Sequence, residues 1–352
     1  MLQRTVRSIG LSDSFLKTSR LKRSLAARCA AVVANRRQAI TASLIGLATL
    51  LAAAPACAQI DTLKMMIGAN PGGGFDQTGR SIAAAMQAAG SVRNATFENK
   101  GGAGGTIGLA QFVNTEKGNP NALIVTGAVM VGAIEMSHPP VTLKNGTPIA
   151  RLFADAMVLV VPSGSKLQSM ADLVAMLKAN PGAVSWAGGS RGSTDHMLAG
   201  LIAKESGVEP TKVNYIPFAG GGEATAAILG NQVTVGIAGV SEFLPFIKDG
   251  KMRALAVSSS FPVQGIKPLK DLGVNVEMYN WRGVWGPPGI TPEQQKVLID
   301  AVLKGTQTQQ WKDTLARNEW APFVQTGTEF GSYVESESKR LGGILRDLGL
   351  AK

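Results

Sequence analysis

Cysteine is nearly absent. The 352 residues contain two, Cys29 and Cys57, both within the first 58 positions. From residue 59 onward there is no disulfide and no thiol to work with. Histidine is equally scarce: His138 and His196 are the whole complement. A histidine-rich metal site is excluded by count, and HExxH is missing. Aromatics make up 5% of the chain, too few for interleaved base-stacking platforms. No apolar run reaches the roughly 20 residues that a membrane-spanning helix needs. The net charge of +11 suggests a polyanion partner, but its distribution does not. Residues 1–58 carry nine Lys/Arg and one acid, Asp13, which leaves the remainder at only +3. A nucleic-acid partner loses its main electrostatic support.

The same first 58 residues read as a targeting segment. A basic stretch ends at Arg36-Arg37, and Ala39 to Ala54 is uncharged and mostly apolar. Ala56-Cys57-Ala58 then sets small residues before Gln59. This layout predicts a bacterial export signal cleaved near Ala58/Gln59, and a periplasmic protein. A retained anchor is the competing reading. The arginine pair also raises a twin-arginine route, although Asn35-Arg36-Arg37-Gln38 matches it poorly. The long basic portion lets the translation start fall downstream of Met1.

Beyond the leader, strand and helix alternate. Leu63–Ile67, Ala95–Glu98 and Ala122–Thr126 read as strands. The first two are followed by glycine-rich loops and then helices over Gln77–Ala89 and Thr106 to about Asn114. A second block repeats the pattern with strands at Met157–Val161, Val184–Ala187, Val213–Ile216, Val233–Ile237 and Ala254–Val257. Helices are predicted from Ser169 to Lys178, from Thr194 to Ser206 and from Glu223. Two amphipathic helices, Pro292–Lys304 and Glu329–Leu348, are expected to return to the first block. The order implies an α/β fold with parallel-rich sheets flanked by helices. The chain is expected to cross between its halves near 155–158 and again near 276–281. The halves are then 59–157 plus 279–352, and 158–278.

Four glycine-rich loops carry the chemistry. A helix N-terminus bears about +0.5 charge and unpaired N–H groups. Glycine lets backbone approach a ligand closely. Loops of this kind at the carboxyl ends of parallel strands are anion sites. The first loop holds Asn70, Pro71, Gly72, Gly73, Gly74, Phe75 and Asp76; the second holds Gly102, Ala103 and Gly104. The third holds Gly189, Ser190, Arg191, Ser193, Thr194 and His196; the fourth holds Phe218, Gly220 and Gly221. Gly127 and Gly239, at strand ends, and Arg282 complete the candidate ligand-binding set. A lone loop is more simply a tight turn; four, two per half, are harder to assign to turn-making. None fits GxGxxG, since Gln77, Ile107 and Thr225 fall at its last position. Gly250-Lys251 precedes Met252, so there is no P-loop. The physics admits phosphate as well as carboxylates. Asp195 and Ser193 at a helix start suit capping better than a catalytic triad. Asp76 reads equally as an acid facing its helix dipole, and Arg282 as a packed structural charge.

These stretches resemble the periplasmic solute-binding receptors of tripartite tricarboxylate transporters, the Bug receptors. Asn70-Pro71-Gly72-Gly73-Gly74-Phe75-Asp76 with Arg80 carries the resemblance, as does Glu98 through Gly108. So do Gly192–His196, Gly230–Val233, Lys251–Val257, and Trp281-Arg282-Gly283 with Pro287-Pro288-Gly289. The resemblance implies a type II-like, two-domain binding protein hinged over a central cleft. It implies a di- or tricarboxylate ligand of citrate type, held largely through backbone N–H groups and water. It also implies transient docking on membrane transporter subunits, a monomer, and neither cofactor nor metal. Two expected-pocket stretches, Gly68–Gly74 and Ala238–Glu242, depart from the common family pattern toward the tricarboxylate branch. The alternative function is a secreted α/β enzyme acting on a small carboxylated or phosphorylated metabolite. It wants a nucleophile–base pair that the sequence does not offer.

Overall fold

The computed structural model describes residues 59–218 and 221–352. The expected export segment and its cleavage point after Ala58 lie outside these residues. The chain runs β1 (Ile60–Ile67), α1 (Gly74–Ala88), β2 (Val92–Asn99), α2 (Thr106–Thr115), β3 (Ala122–Gly127), α3 (Ala128–Ser137) and β4 (Thr147–Pro162). Then come α4 (Met170–Ala179), β5 (Ser185–Gly188), α5 (Thr194–Glu205), β6 (Asn214–Pro217), α6 (Gly221–Leu229), β7 (Val235–Gly239), α7 (Val240–Lys248) and β8 (Met252–Val257). The chain closes with β9 (Tyr279–Gly286), α8 (Pro292–Gln307), α9 (Gln309–Arg317), β10 (Trp320–Thr326) and α10 (Gly327–Asp347).

The fold is mixed α/β, a continuous sheet flanked by helices. Its order is β2-β1-β3-β9-β4-β7-β5-β6, with β10 and β8 also paired to β4. The outer regions are parallel: β1 with β2 and β3, and β5 with β6 and β7. The centre is antiparallel, because β9 returns between β3 and β4. Strand β4 is 16 residues long and buried from Ile149 to Pro162. Its partners change between Ala156, opposite Tyr279 of β9, and Met157, opposite Gly239 of β7. The predicted strand Met157–Val161 is thus the distal end of a much longer one.

Local chemistry explains most boundaries. Ser169 caps α4 through the Asp172 N–H. Thr291 and Gln294 form a capping box with Pro292 in the first turn of α8. Helix α8 packs on α1: the Ser91 hydroxyl, just past α1, lies 3.0 Å from both Met86 O and Ala301 O and shares its one proton between them. Gly305 lets α8 approach so closely that a Cβ there would lie 3.1 Å from Met86 N. Trp281, fully buried on β9, donates its indole N–H to Glu337 of α10 at 3.1 Å. Five elements were not anticipated, among them the central strand β9, of which the sequence indicates only a crossing between the halves. Helix α3 is apolar nearly all round and shows no period; α7 contains Pro245 and β10 contains Pro322, both poor signals for their elements. The fifth is α9.

Ser258 ties together the two places where the chain changes sheet region. Its N–H donates to Met157 O at 2.8 Å, and its hydroxyl accepts from Met157 N at 2.9 Å. The hydroxyl also donates to Met278 O at 2.5 Å, while Ser258 O accepts from Met278 N at 3.0 Å. The residue is fully buried. Ser258→Ala leaves a buried N–H and a buried carbonyl short of a partner. The expected loss is about 1–3 kcal/mol of folding stability, read as a lower urea midpoint at unchanged slope. A midpoint equal to wild type would show that these bonds carry no net weight.

Candidate functional site

A cavity of about 950 Å³ opens where the carboxyl ends of the parallel strands meet. Its walls include Asn70–Phe75, Gly102–Gly105, Gly188–Ser190, Ser193–Asp195 and Gly222. All four glycine loops therefore contribute to one space. Val129 and Ser241 also line it, from the first turns of α3 and α7. Six helix N-termini converge, two more than the sequence suggested, and the two additions follow Gly127 and Gly239.

The first loop is organised by Asp76. Its carboxylate accepts from Gly72 N at 2.9 Å, from Arg80 Nε at 2.9 Å and from Asn99 Nδ2 at 2.9 Å. Asn99 also donates to Ala69 O at 3.0 Å, which fastens the loop to β2. Burial alone would raise the Asp76 carboxyl; the bonds from Arg80, Gly72 and Asn99 outweigh it and hold the group below the usual range. Asp76 supports the wall and does not line it. Gly72 sits at φ +84, where a side chain would strain the turn. The second loop touches the first backbone to backbone: a Cβ on Gly68 would come 2.9 Å from Gly105 Cα.

The third loop is braced internally. Asp195 accepts from Gly189 N at 2.7 Å. Ser193 caps α5 through its hydroxyl and lies 3.3 Å from the Tyr215 hydroxyl, which donates to Gly189 O at 2.9 Å. His196 is turned away from the cavity. Its Nδ1 accepts from Gly192 N at 3.1 Å, and its ring stacks on Tyr215 at 4.1 Å. Ser193 and His196 thus have their side chains committed to the loop, and no hydrolytic pair forms. Arg191 is exposed and off the cavity wall. Phe218 packs on the smaller apolar cluster around β7 and β8, also off the wall. Gly220 lies outside the described residues, and Gly221 begins α6.

Gly127 and Gly239 allow close approach without lining the cavity. A Cβ on Gly127 would sit 2.5 Å from Trp281 O, and one on Gly239 would collide with the Asp155 carboxylate. Arg282 does line the cavity, 9% exposed, its guanidinium 4.9 Å over the Phe75 ring and donating to Asn280 Oδ1. Three carboxylates share its surroundings: Asp155, Asp195 and Glu242. Burial raises all three; Arg282 opposes the rise, while Glu242 and Asp195 add to it at Asp155. Among the described residues no group of three or more His, Cys, Asp or Glu could hold a metal.

Asp155, Glu242 and Asn280 escaped sequence reasoning as site residues. One signal was available: Asp155 is the sole acid in the otherwise apolar run that continues to Val161. Glu242 ends the Ala238–Glu242 stretch that the family resemblance placed at the expected pocket, although it was not singled out there.

Burial, reinforced by the nearby Arg191 charge, lowers His196 to about 4. In the unfolded chain it titrates near its ordinary value of 6.5. The unfolded state therefore binds the extra proton between these values, so His196 contributes stability above pH 6.5 that is lost as pH falls toward 4. Wild type should lose about 2 kcal/mol more than His196→Gln between pH 7 and pH 5. Paired urea titrations at the two pH values measure the difference; parallel losses would contradict it.

Comparison with known proteins follows the same geometry. The family model described as tripartite tricarboxylate transporter family receptor matches residues 80–350. Protein BugT of Bordetella pertussis is 28% identical over 296 residues, 82% of this chain and 89% of that protein. The crystal structure of a TctC solute-binding protein from Polaromonas is 26% identical, with a TM-score of 0.66, covering 84% of this chain and all of that one. MatC from Rhodopseudomonas palustris, solved with bound malate, is 21% identical with a TM-score of 0.70, covering 81% and 99% of the two chains.

Proposed function

This chain belongs to the family of tripartite tricarboxylate transporter receptors, and from that premise we propose that its cavity captures a di- or tricarboxylate in the periplasm for delivery to membrane transporter subunits. The family and the similar structures are solute-binding receptors, not enzymes. Among the described residues no helix is long and apolar enough to cross a membrane. The bound malate of MatC is in keeping with a small carboxylate ligand.

The observation that carries the proposal is the convergence of six helix N-termini on one cavity. Beyond residue 58 the chain has little excess positive charge, and among the described residues Arg282 is the one Lys or Arg side chain on the cavity wall. One helix end contributes ~0.3–1 kcal/mol when exposed and up to about 2 when partly buried. Several ends acting together suit a ligand bearing more than one carboxylate. A citrate-like ligand fits this arithmetic, with Asn70–Phe75 and Gly102–Gly104 on one side and Gly189, Ser190, Ser193 and Thr194 on the other. The cavity is at the large end of small-molecule sites, which suits a cleft that closes. Closure would move residues 59–157 plus 279–352 against 158–278, excluding water and strengthening each dipole contact. A closed, bridged form is also what a transporter could tell from the empty receptor.

The test is a thermal-shift screen of malate, succinate, adipate, citrate and phosphate. A ligand at ~100 times its Kd should add about 2.7 kcal/mol of stability. Gly72→Val and Asp76→Asn should each weaken binding at least tenfold by calorimetry while circular dichroism stays native, because both disturb the first loop. A shift with phosphate alone, or full-strength binding by both variants, would sink the proposal.

A further inference from the structure

The two sequence halves touch behind the cavity as well as along β4. Strand β9 shows which side is behind. Asn280 and Arg282 line the cavity. Trp281, between them, points the other way: its ring meets Phe330 and Tyr333 edge-on, and its indole N–H reaches Glu337. Helix α10 therefore lies at the back of β9. It then runs on past its own half, and its end packs on α5, which belongs to 158–278.

That contact is closely fitted. Leu348, the residue after α10, is 6% exposed and fills a notch that only glycine leaves open: a Cβ on Gly200 would collide with Leu348 Cδ2. Lys204 Nζ pairs with Asp347 Oδ2 at 2.6 Å. The pair is exposed, and surface pairs contribute little, so the weight falls on the buried apolar seat. Beside it a cavity of about 360 Å³ lies between Gly207–Pro210 and Asp347. The seam is not filled there, which leaves the end of α10 room to shift against α5.

Helix α5 is thus gripped at one point and serves the ligand site at another. Thr194, in its first turn, is on the cavity wall. Gly200 follows roughly 9 Å along the axis, at about 1.5 Å per residue. With α10 behind β9 and the cavity in front, a turn of the halves about β4 that narrows the front parts the seam behind. The seat of Leu348 is made in the open form and loosened in the closed one.

We infer that the end of α10 is a clasp on α5 that holds the cleft open and so sets ligand affinity from outside the cavity. The inference rests on reading the cavity as a cleft that closes on a carboxylate, and adds where the balance is set. When the competent form is a minor fraction, the apparent Kd is the intrinsic one divided by that fraction. Loosening the clasp raises the fraction and tightens binding with the cavity wall untouched.

Residues 59–352 hold no cysteine, so Asn114→Cys and Leu229→Cys, exposed in opposite halves, take spin labels without background. Pulsed electron resonance then reads the distance between the halves with nothing added. Leu348→Ala empties the notch and Gly200→Ala drives a methyl group into it. Both should enlarge the short-distance population. Both should also bind malate, succinate, adipate or citrate, whichever the wild type takes, about threefold or more tightly by calorimetry. A merely structural role would leave affinity unchanged or lower it. Gly200→Ala keeps the test usable if Leu348→Ala does not fold. Folded variants with wild-type distances, or with equal or weaker affinity, overturn the inference and leave the carboxylate reading standing. A distance shift in a protein that binds none of the four acids upholds the clasp and overturns the carboxylate reading alone.

Discussion

A strand buried along both faces must find a partner for every backbone N–H and C=O, or leave polar groups stranded in the core. β4 meets this requirement over fourteen buried positions, and the rest of the fold follows from how it does so. Its proximal part takes β9 on one edge and β10 on the other; its distal part takes β7 and β8. The parallel regions of the sheet are then attached through β3–β9 on one side and β7–β5 on the other. The cavity lies along the stretch where the partners change, with Phe153 and Asp155 of β4 on its wall.

The same geometry gives the cavity its electrostatic character. Parallel strands aim their following helices with N-termini toward the strand ends, so positive partial charge collects there without a single lysine. Side chains then trim that field. Asp76 and Asp195 each spend acceptor capacity on loop N–H groups, fixing the loop shapes. Arg282 and the nearby acids Asp155, Asp195 and Glu242 set the charge of the innermost wall. Loop shape and wall charge overlap only at Asp195, which serves both.

Much of this was legible from the residues. The four glycine loops are spaced so that each ends a strand and opens a helix, and that spacing carried both the α/β class and the shared site. Ser169 and Ser193 gave helix starts through their hydroxyls. What escaped had physical reasons. A helix buried on all sides, such as α3, has no polar face to generate a period. Pro245 and Pro322 hide α7 and β10, because proline is a stop signal everywhere except the particular positions that tolerate it. His196 and Arg191 looked like ligand contacts since they sit in the right loop. The direction of His196 is set by Tyr215, 19 residues away in sequence, which no local pattern reveals, and Arg191 lies exposed off the cavity wall. Asp155 needed its tertiary setting too: an acid in an apolar run signals that something is compensated, without saying by what.

The place of β9 in the sheet also governs the order of assembly. β3 ends at Gly127, yet its next neighbour begins at Tyr279, and β10 completes the proximal edge of β4 only from Trp320. A chain emerging N-terminus first therefore holds β1, β2 and β3 as a sheet whose β3 edge stays unpaired until most of its length has appeared. Such long-range pairing gives high contact order and slow folding. During that interval the exposed edge of β3 is a template for wrong partners. A polypeptide of this topology is ill suited to fold while it is being made, and well suited to being kept unfolded until it is complete.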